Sequence, residues 1–264
     1  MNKRPKNNAR QQAAEQAPDL WQPSRPMGLA RALAKAGYGT RVRTQQMVCD
    51  GRVKVDGRVD LDPASTVGPD SEISLDNQPL VKLMRRYFAF HKPVRVPATG
   101  SPAAGRRVVS DYLPPEVPGL TPAGRLDINT SGLMLVSNDS VWNGFAAGGP
   151  RLEKEYKIQI SGKITGVEVG VILAGMHLPH HGFIRPLAVD VLEVMENKTV
   201  LRLVLGEGKN RQVRKIFNAL RHDVLMMRRI RIGPVVLGDL LAGHLRPLTR
   251  GEIEGIRMTG MKSA

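Results

Sequence analysis

The stretch GRLDINTSGLMLVSND, from Gly124 to Asp139, constrains the fold more than any other part of the chain. A turn-prone Asn129-Thr130-Ser131-Gly132 is followed at once by the apolar run Leu133 to Val136, which reads as a buried strand fed by a tight turn. Asp127 heads that turn, directly after Arg125 and Leu126. A carboxylate on a tight connection beside a basic residue is well placed to be held ionised in a cleft. There it can act as nucleophile or base. The commoner role of an Asp in such a turn is to bond its own backbone, and this stretch alone leaves both roles open.

The length of 264 residues suits one large domain or two unequal ones, and 41% apolar residues suffice for a core. Lysine and arginine number 39 against 24 acidic residues, a net charge of +15, which points to a polyanionic partner. No apolar run approaches a membrane span and no signal pattern is visible at the amino end, so nucleic acid is expected rather than a membrane surface. Aromatics at 4% argue against a stacking platform for single strands. The single cysteine, Cys49, excludes an internal disulfide, fits a reducing cytosol and reads as a small buried hydrophobe.

Residues 1–26 lack apolar periodicity and are expected to form a disordered basic tail. A small module follows over residues 27–82. Leu29, Leu33 and Ala36 share one side of a short helix that Gly37 ends, and Thr40 is placed to cap a second helix. Val53 and Val55 alternate with Arg52 and Lys54 ahead of Asp56-Gly57, a hairpin signal. Arg31, Lys35, Arg41, Arg43, Arg52 and Lys54 fall on both helices and the hairpin, which favours a phosphate-binding surface over a merely solvated face.

A second module is expected over residues 84–250, with a flexible tail over 251–264. Strands are predicted at Tyr87–Phe90, Leu133–Ser137, Tyr156–Ile160, Ala188–Met195 and Val200–Leu205, and Arg211–Leu220 is the clearest helix. Few helices separate the strands, so the class is α+β with a mixed, mainly antiparallel sheet. His177, His180 and His181 lie in a predicted hairpin without a carboxylate at ligand spacing, and no metal is expected there.

Three blocks carry a resemblance: FAFHKP (Phe88–Pro93), GRLDINTSGLMLVSND, and EGKNRQVRKIFNALRHDV (Glu207–Val224) followed by MRRIRIGPVVLGDL. With EKEYKIQISG (Glu153–Gly162) they resemble the bacterial ribosomal RNA pseudouridine synthases of the RsuA/RluB group, over roughly Met27 to Thr249. The first module is similar to the RNA-binding domain named after small-subunit ribosomal protein four. Departures are Val94-Arg95-Val96 in place of a glycine turn after Lys-Pro, and a glycine-rich Ser140–Pro150 where relatives carry a helix.

The resemblance implies an isomerase that converts a uridine of ribosomal RNA, expected in the large subunit, to pseudouridine without a cofactor. It implies Asp127 as the essential catalytic residue, Tyr156 against the target base, and Lys209 as the cation paired with Asp127, with Arg214 as second choice. Arg125 is similar to the residue that helps extrude the nucleotide, at a cost of about a few kcal/mol. Met227 takes the position below the base, and Arg211, Arg214 and Arg229 are the remaining substrate contacts. With Arg228 and Arg231, Arg229 extends the positive surface, and with Ile230 and Ile232 interleaved these residues also read as a strand of which only one side is expected to meet RNA. The expected partner is a ribosomal RNA stem-loop, met by a cytoplasmic monomer, free or within an assembling particle. The competing reading is a non-catalytic RNA-binding or assembly factor with the same fold.

Overall fold

The computed structural model describes residues 20–81, 83–98, 107–148, 152–178, 182–206 and 212–261. The chain divides into two compact units between Met84 and Arg85.

In the first unit, α1 (Leu29–Ala36) buries Leu29, Ala32, Leu33 and Ala36 and turns Arg31 and Lys35 to solvent. The next helix, α2 (Arg41–Cys49), is capped by Thr40, whose Oγ1 accepts from Arg43 N at 3.3 Å. Thr44 Oγ1 ties the helices by donating to Ala30 O at 2.8 Å. The hairpin of β1 (Val53–Val55) and β2 (Arg58–Val59) turns at Asp56 and Gly57, both at positive φ (50° and 78°), the geometry of a primed turn. β3 (Ile73–Leu75) and β4 (Gln78–Pro79) complete this sheet. Trp21 docks here, donating its backbone N–H to Leu80 O at 2.8 Å. Cys49 is exposed, contrary to expectation. Thr44, Met47 and Val48 set the buried side of α2, and one further residue rotates Cys49 away from it.

The second unit is built on β5 (Tyr87–Lys92), β6 (Thr121–Ala123), β7 (Ser131–Ser137), α3 (Ser140–Gly148), β8 (Lys154–Ser161), α4 (Gly166–Ala174), β9 (Met176–Leu178), β10 (Gly182–Ile184), β11 (Ala188–Val194), β12 (Lys198–Leu205), α5 (Gln212–Ala219), β13 (Val224–Ile232), β14 (Leu245–Pro247) and α6 (Arg250–Met261). The main sheet runs β11-β12-β8-β13-β7-β5-β14, with β6 on β7 and Val235–Val236 on β13. Every pairing is antiparallel except β13 with β7, where Arg228 faces Ser131 and Arg229 faces Gly132. All seven residues of β7 are buried, which explains its unbroken apolar run. Leu133 and Leu135 pack with Trp142, Ala146 and Ile256 on one face, and Met134 and Val136 with Phe90 and Leu126 on the other. Beyond β13, Ile158, Leu201 and Leu203 share a core with Ile172, Ile216 and Phe217.

Two segments differ from expectation. Ser140–Gly148 is helical despite its glycines, because Asp139 Oδ1 caps it, accepting from Val141 N and Trp142 N at 3.1 and 3.2 Å. The segment after Gly251, expected to fray, is the helix α6. Thr249 and Glu252 cap it reciprocally, Trp142 Nε1 donates to Ile253 O at 3.1 Å, and Ile256 is fully buried.

Candidate active site

The junction of β5, β7 and β13 places the start of β7 between two basic residues. Gly132 is paired with Lys92 on one side and with Arg229 on the other. The turn entering β7 carries Asp127, and its backbone is held at successive positions. Asp127 O accepts from Thr130 N at 3.0 Å. Ile128 O accepts from Arg95 N at 2.7 Å and from Lys92 Nζ at 3.5 Å. Asn129 O accepts from Arg214 Nη2 at 3.4 Å, while Nη1 of the same guanidinium bonds Val224 O at 3.0 Å.

Above this turn opens a cleft of about 400 Å³. Asp127 lines it, half-buried, and is the one acidic side chain among the described lining residues. Tyr156 comes from β8 and Met227 and Arg229 from β13, all three buried. They share a face because Ile158 opposes Met227 and Tyr156 opposes Arg229 across the ladder. Arg125 lines the mouth and is exposed. Arg229 Nε is engaged with Leu133 O at 2.7 Å, which fixes the guanidinium at the cleft wall.

A β-bulge next to Tyr156 removes Arg231 from this group. The register skips Ile230, so Arg231 opposes Glu155 and turns to the other face of the sheet. There it bonds Glu155 at 2.9 Å and Glu153 at 3.0 Å, and Arg202 also joins Glu155 at 2.8 Å. Arg231 is therefore a structural ion-pair residue and not part of the positive surface expected of it. Arg214 lies off the cleft and bonds the turn rather than the space above it. Lys209 and Arg211 lie outside the described residues, as do His180 and His181. His177 is exposed on β9, its ring tilted at 56° to that of Phe183 with centroids 5.2 Å apart.

Two lysines escape a reading of the sequence alone. Lys154 lines the cleft, 3% exposed, with Nζ donating to Leu152 O at 3.0 Å. Its signal is the spacing of two before Tyr156, which puts both side chains on one face of a strand. Lys92 is fully buried beneath the turn. Burial pushes its ammonium down to about 8, against the upward pull of Asp127. Among the described residues no group of three His, Cys, Asp or Glu side chains could hold a metal ion, and no helix is long and apolar enough to cross a membrane.

Residues 86–219 match the RNA pseudouridylate synthase family, and residues 27–73 match the S4 domain. The chain belongs to the RNA pseudouridylate synthase family. An uncharacterized RNA pseudouridine synthase of Mycobacterium leprae is 32% identical over 234 residues, spanning 85% of this chain and 90% of its own. Ribosomal large subunit pseudouridine synthase B of Bacillus subtilis is 28% identical, covering 87% of this chain and 95% of that protein. A solved pseudouridylate synthase superimposes with a TM-score of 0.63 at 25% identity, over 87% of this chain and 99% of its own. Both the catalytic fold and the S4 domain expected from the sequence are thus present in this family member.

Proposed function

We propose that this pseudouridylate synthase isomerises a specific uridine of ribosomal RNA, in the large subunit, with Asp127 as the reacting carboxylate. The observation that carries the reading is the placement of Asp127, the sole described acid in a cleft walled by Arg229, Lys154 and Arg125. In the family's first route, a carboxylate oxygen attacks C1′ as the C1′–N1 bond breaks and its electrons pass to the uracil ring. The base turns, C5 forms the new bond to C1′ and displaces the carboxylate, and the C5 proton is lost as N1 gains one. In the second, Asp127 draws a proton from C2′ as the C1′–N1 bond breaks and leaves a C1′–C2′ double bond; after the base has turned, C5 adds to C1′ as C2′ regains the proton, and the C5 proton is lost as N1 gains one. Neither route oxidises or hydrolyses anything, so no cofactor is called for.

The remaining residues take supporting roles. Tyr156 and Met227 bracket the uracil ring, and Tyr156 helps move the proton that leaves C5. Arg125 and Arg229 hold the extruded nucleotide. Lys209 is the proposed ion-pair partner of Asp127, and Arg211 contacts phosphate. The S4 unit, with Arg31, Lys35, Arg41 and Arg43 exposed, adds sequence-independent affinity for a stem-loop. Arg52 is bonded to Asp76 at 2.6 Å and Lys54 is half-buried, so both contribute less. We propose a monomer acting in the cytoplasm, on free RNA or within an assembling particle.

The test is reverse-transcription stop mapping of carbodiimide-treated ribosomal RNA from cells with and without the gene. One large-subunit stop that vanishes on deletion supports the reading, and an unchanged map contradicts it.

A further inference from the structure

Among the described residues, five besides glycine hold a positive φ: Asp56, Asp76, Asn77, Arg95 and Arg221. Four of them have local reasons. Asp56, Asp76 and Asn77 turn hairpins, and Asp and Asn tolerate this backbone. Arg221 follows the end of α5, its N–H bonded to Asn218 O at 3.0 Å. Arg95, at φ 63°, sits in the turn after β5, which closes no hairpin and ends no helix. Glycine takes this conformation freely, and a long side chain takes it only at a cost.

The neighbouring chain enforces the conformation. Arg95 N donates to Ile128 O at 2.7 Å, Pro97 O accepts from Val109 N at 3.1 Å, and Val96 is buried in one core with Leu126 and Met134. This fastening sets Arg95 at the rim of the cleft, because Pro97, Ala98 and Ile128 line it and Ile128 directly follows Asp127. The Arg95 side chain is exposed, and among the described residues it donates no hydrogen bond and pairs with no carboxylate. Nothing in the fold uses the guanidinium, so the strained backbone serves to present it at the rim.

We propose that Arg95 is a substrate-binding residue that grips an RNA backbone phosphate adjoining the target uridine. The inference rests on the cleft receiving that uridine over Asp127. A nucleotide drawn into the cleft stays joined to its strand through a phosphate on either side, so phosphates reach the rim with it. The guanidinium fork matches two phosphate oxygens at once. Such a contact sets the register of the strand and carries no base preference. Arg125, also exposed at the mouth, gives the rim a second cation.

The test compares full-length wild type, Arg95→Gly and Arg95→Lys in thermal unfolding and in fluorescence titrations of a large-subunit RNA transcript across a salt series. Arg95→Gly relieves the backbone and is expected to unfold at the wild-type midpoint or above it. Its RNA affinity is expected to fall about fivefold near 0.1 M salt, with the slope of log affinity against log salt shallower by about 0.7 to 0.9. Arg95→Lys keeps the charge and is expected to keep the wild-type slope. On a stem-loop carrying the mapped uridine, a neutral methylphosphonate in place of a flanking phosphate should weaken wild type and leave Arg95→Gly unaffected. Wild-type affinity and slope in Arg95→Gly, or a lower unfolding midpoint for it, overturns the inference. Equal weakening of both proteins by each flanking methylphosphonate overturns it as well. Failure of the wild-type protein to form pseudouridine in large-subunit RNA would overturn the functional reading itself, separately from this one.

Discussion

Gly132 faces the main chain of Arg229 so closely that no side chain fits between them. A Cβ on Gly132 would stand 2.6 Å from the Arg229 nitrogen and closer still to its carbonyl oxygen, and the residue's φ of +107° already disfavours any L side chain. At this approach the turn bearing Asp127 enters the sheet beside the strand bearing Arg229. Gly132→Ala should therefore lose at least about 3 kcal/mol of stability, read by denaturant unfolding, and lose activity with it.

Arg214 bonds the two strand-entry segments through Asn129 O and Val224 O. Arg214→Gln should lower the single-turnover rate by about tenfold while leaving RNA affinity within about twofold. A loss confined to affinity would instead mark Arg214 as a group that binds substrate directly.

The exposed bases of the S4 unit should behave in the opposite way. Replacing Arg31, Lys35, Arg41 and Arg43 by alanine should weaken RNA binding and leave the rate at saturating RNA unchanged. The slope of log affinity against log salt should become shallower by about 0.7 to 0.9 for each phosphate that is no longer neutralised. The measurement is a filter-binding or fluorescence titration across a salt series.

On the outer face of the sheet, burial raises the Glu155 carboxyl. Hydrogen bonds from Arg202 and Arg231 outweigh it and hold the group below its ordinary value of 4.5. A carboxyl depressed in the fold stabilises fully above its unfolded value and loses that contribution as pH falls through the folded value. Glu155→Gln should cost about 1 to 3 kcal/mol at neutral pH, because Arg202 and Arg231 lose the anion they share and keep only Asp190 and Glu153. The difference from wild type should shrink as pH is lowered below about 4.5 in urea unfolding.

Much of this architecture is readable from local sequence because its signals are local. The Thr40 cap, the Asp56-Gly57 hairpin and the buried run of β7 each declare themselves within a few residues. Asp127 and Tyr156 are legible from their own motifs and meet in one cleft. What local reading misses depends on distant pairing. Lys92 reaches the turn only because β5 flanks Gly132, and Arg229, expected from the sequence as a substrate contact, stands opposite it only because β13 flanks the same residue. One skipped residue, Ile230, decides that Arg229 faces the cleft and Arg231 does not. The helix α6 offers a Thr249–Glu252 capping signal, yet its apolar contribution is thin and it is held by Trp142 from another part of the chain.

The account is tested most directly at Asp127. Formation of the C1′–C5 bond expels the C5 hydrogen, so large-subunit RNA labelled with tritium at uridine C5 should release one equivalent per site to water when treated with the wild-type protein. Asp127→Asn should bind the same RNA with unchanged affinity and release tritium at least about a thousandfold more slowly. Release at the wild-type rate by a folded Asp127→Asn would contradict the assignment of this carboxylate as the reacting group.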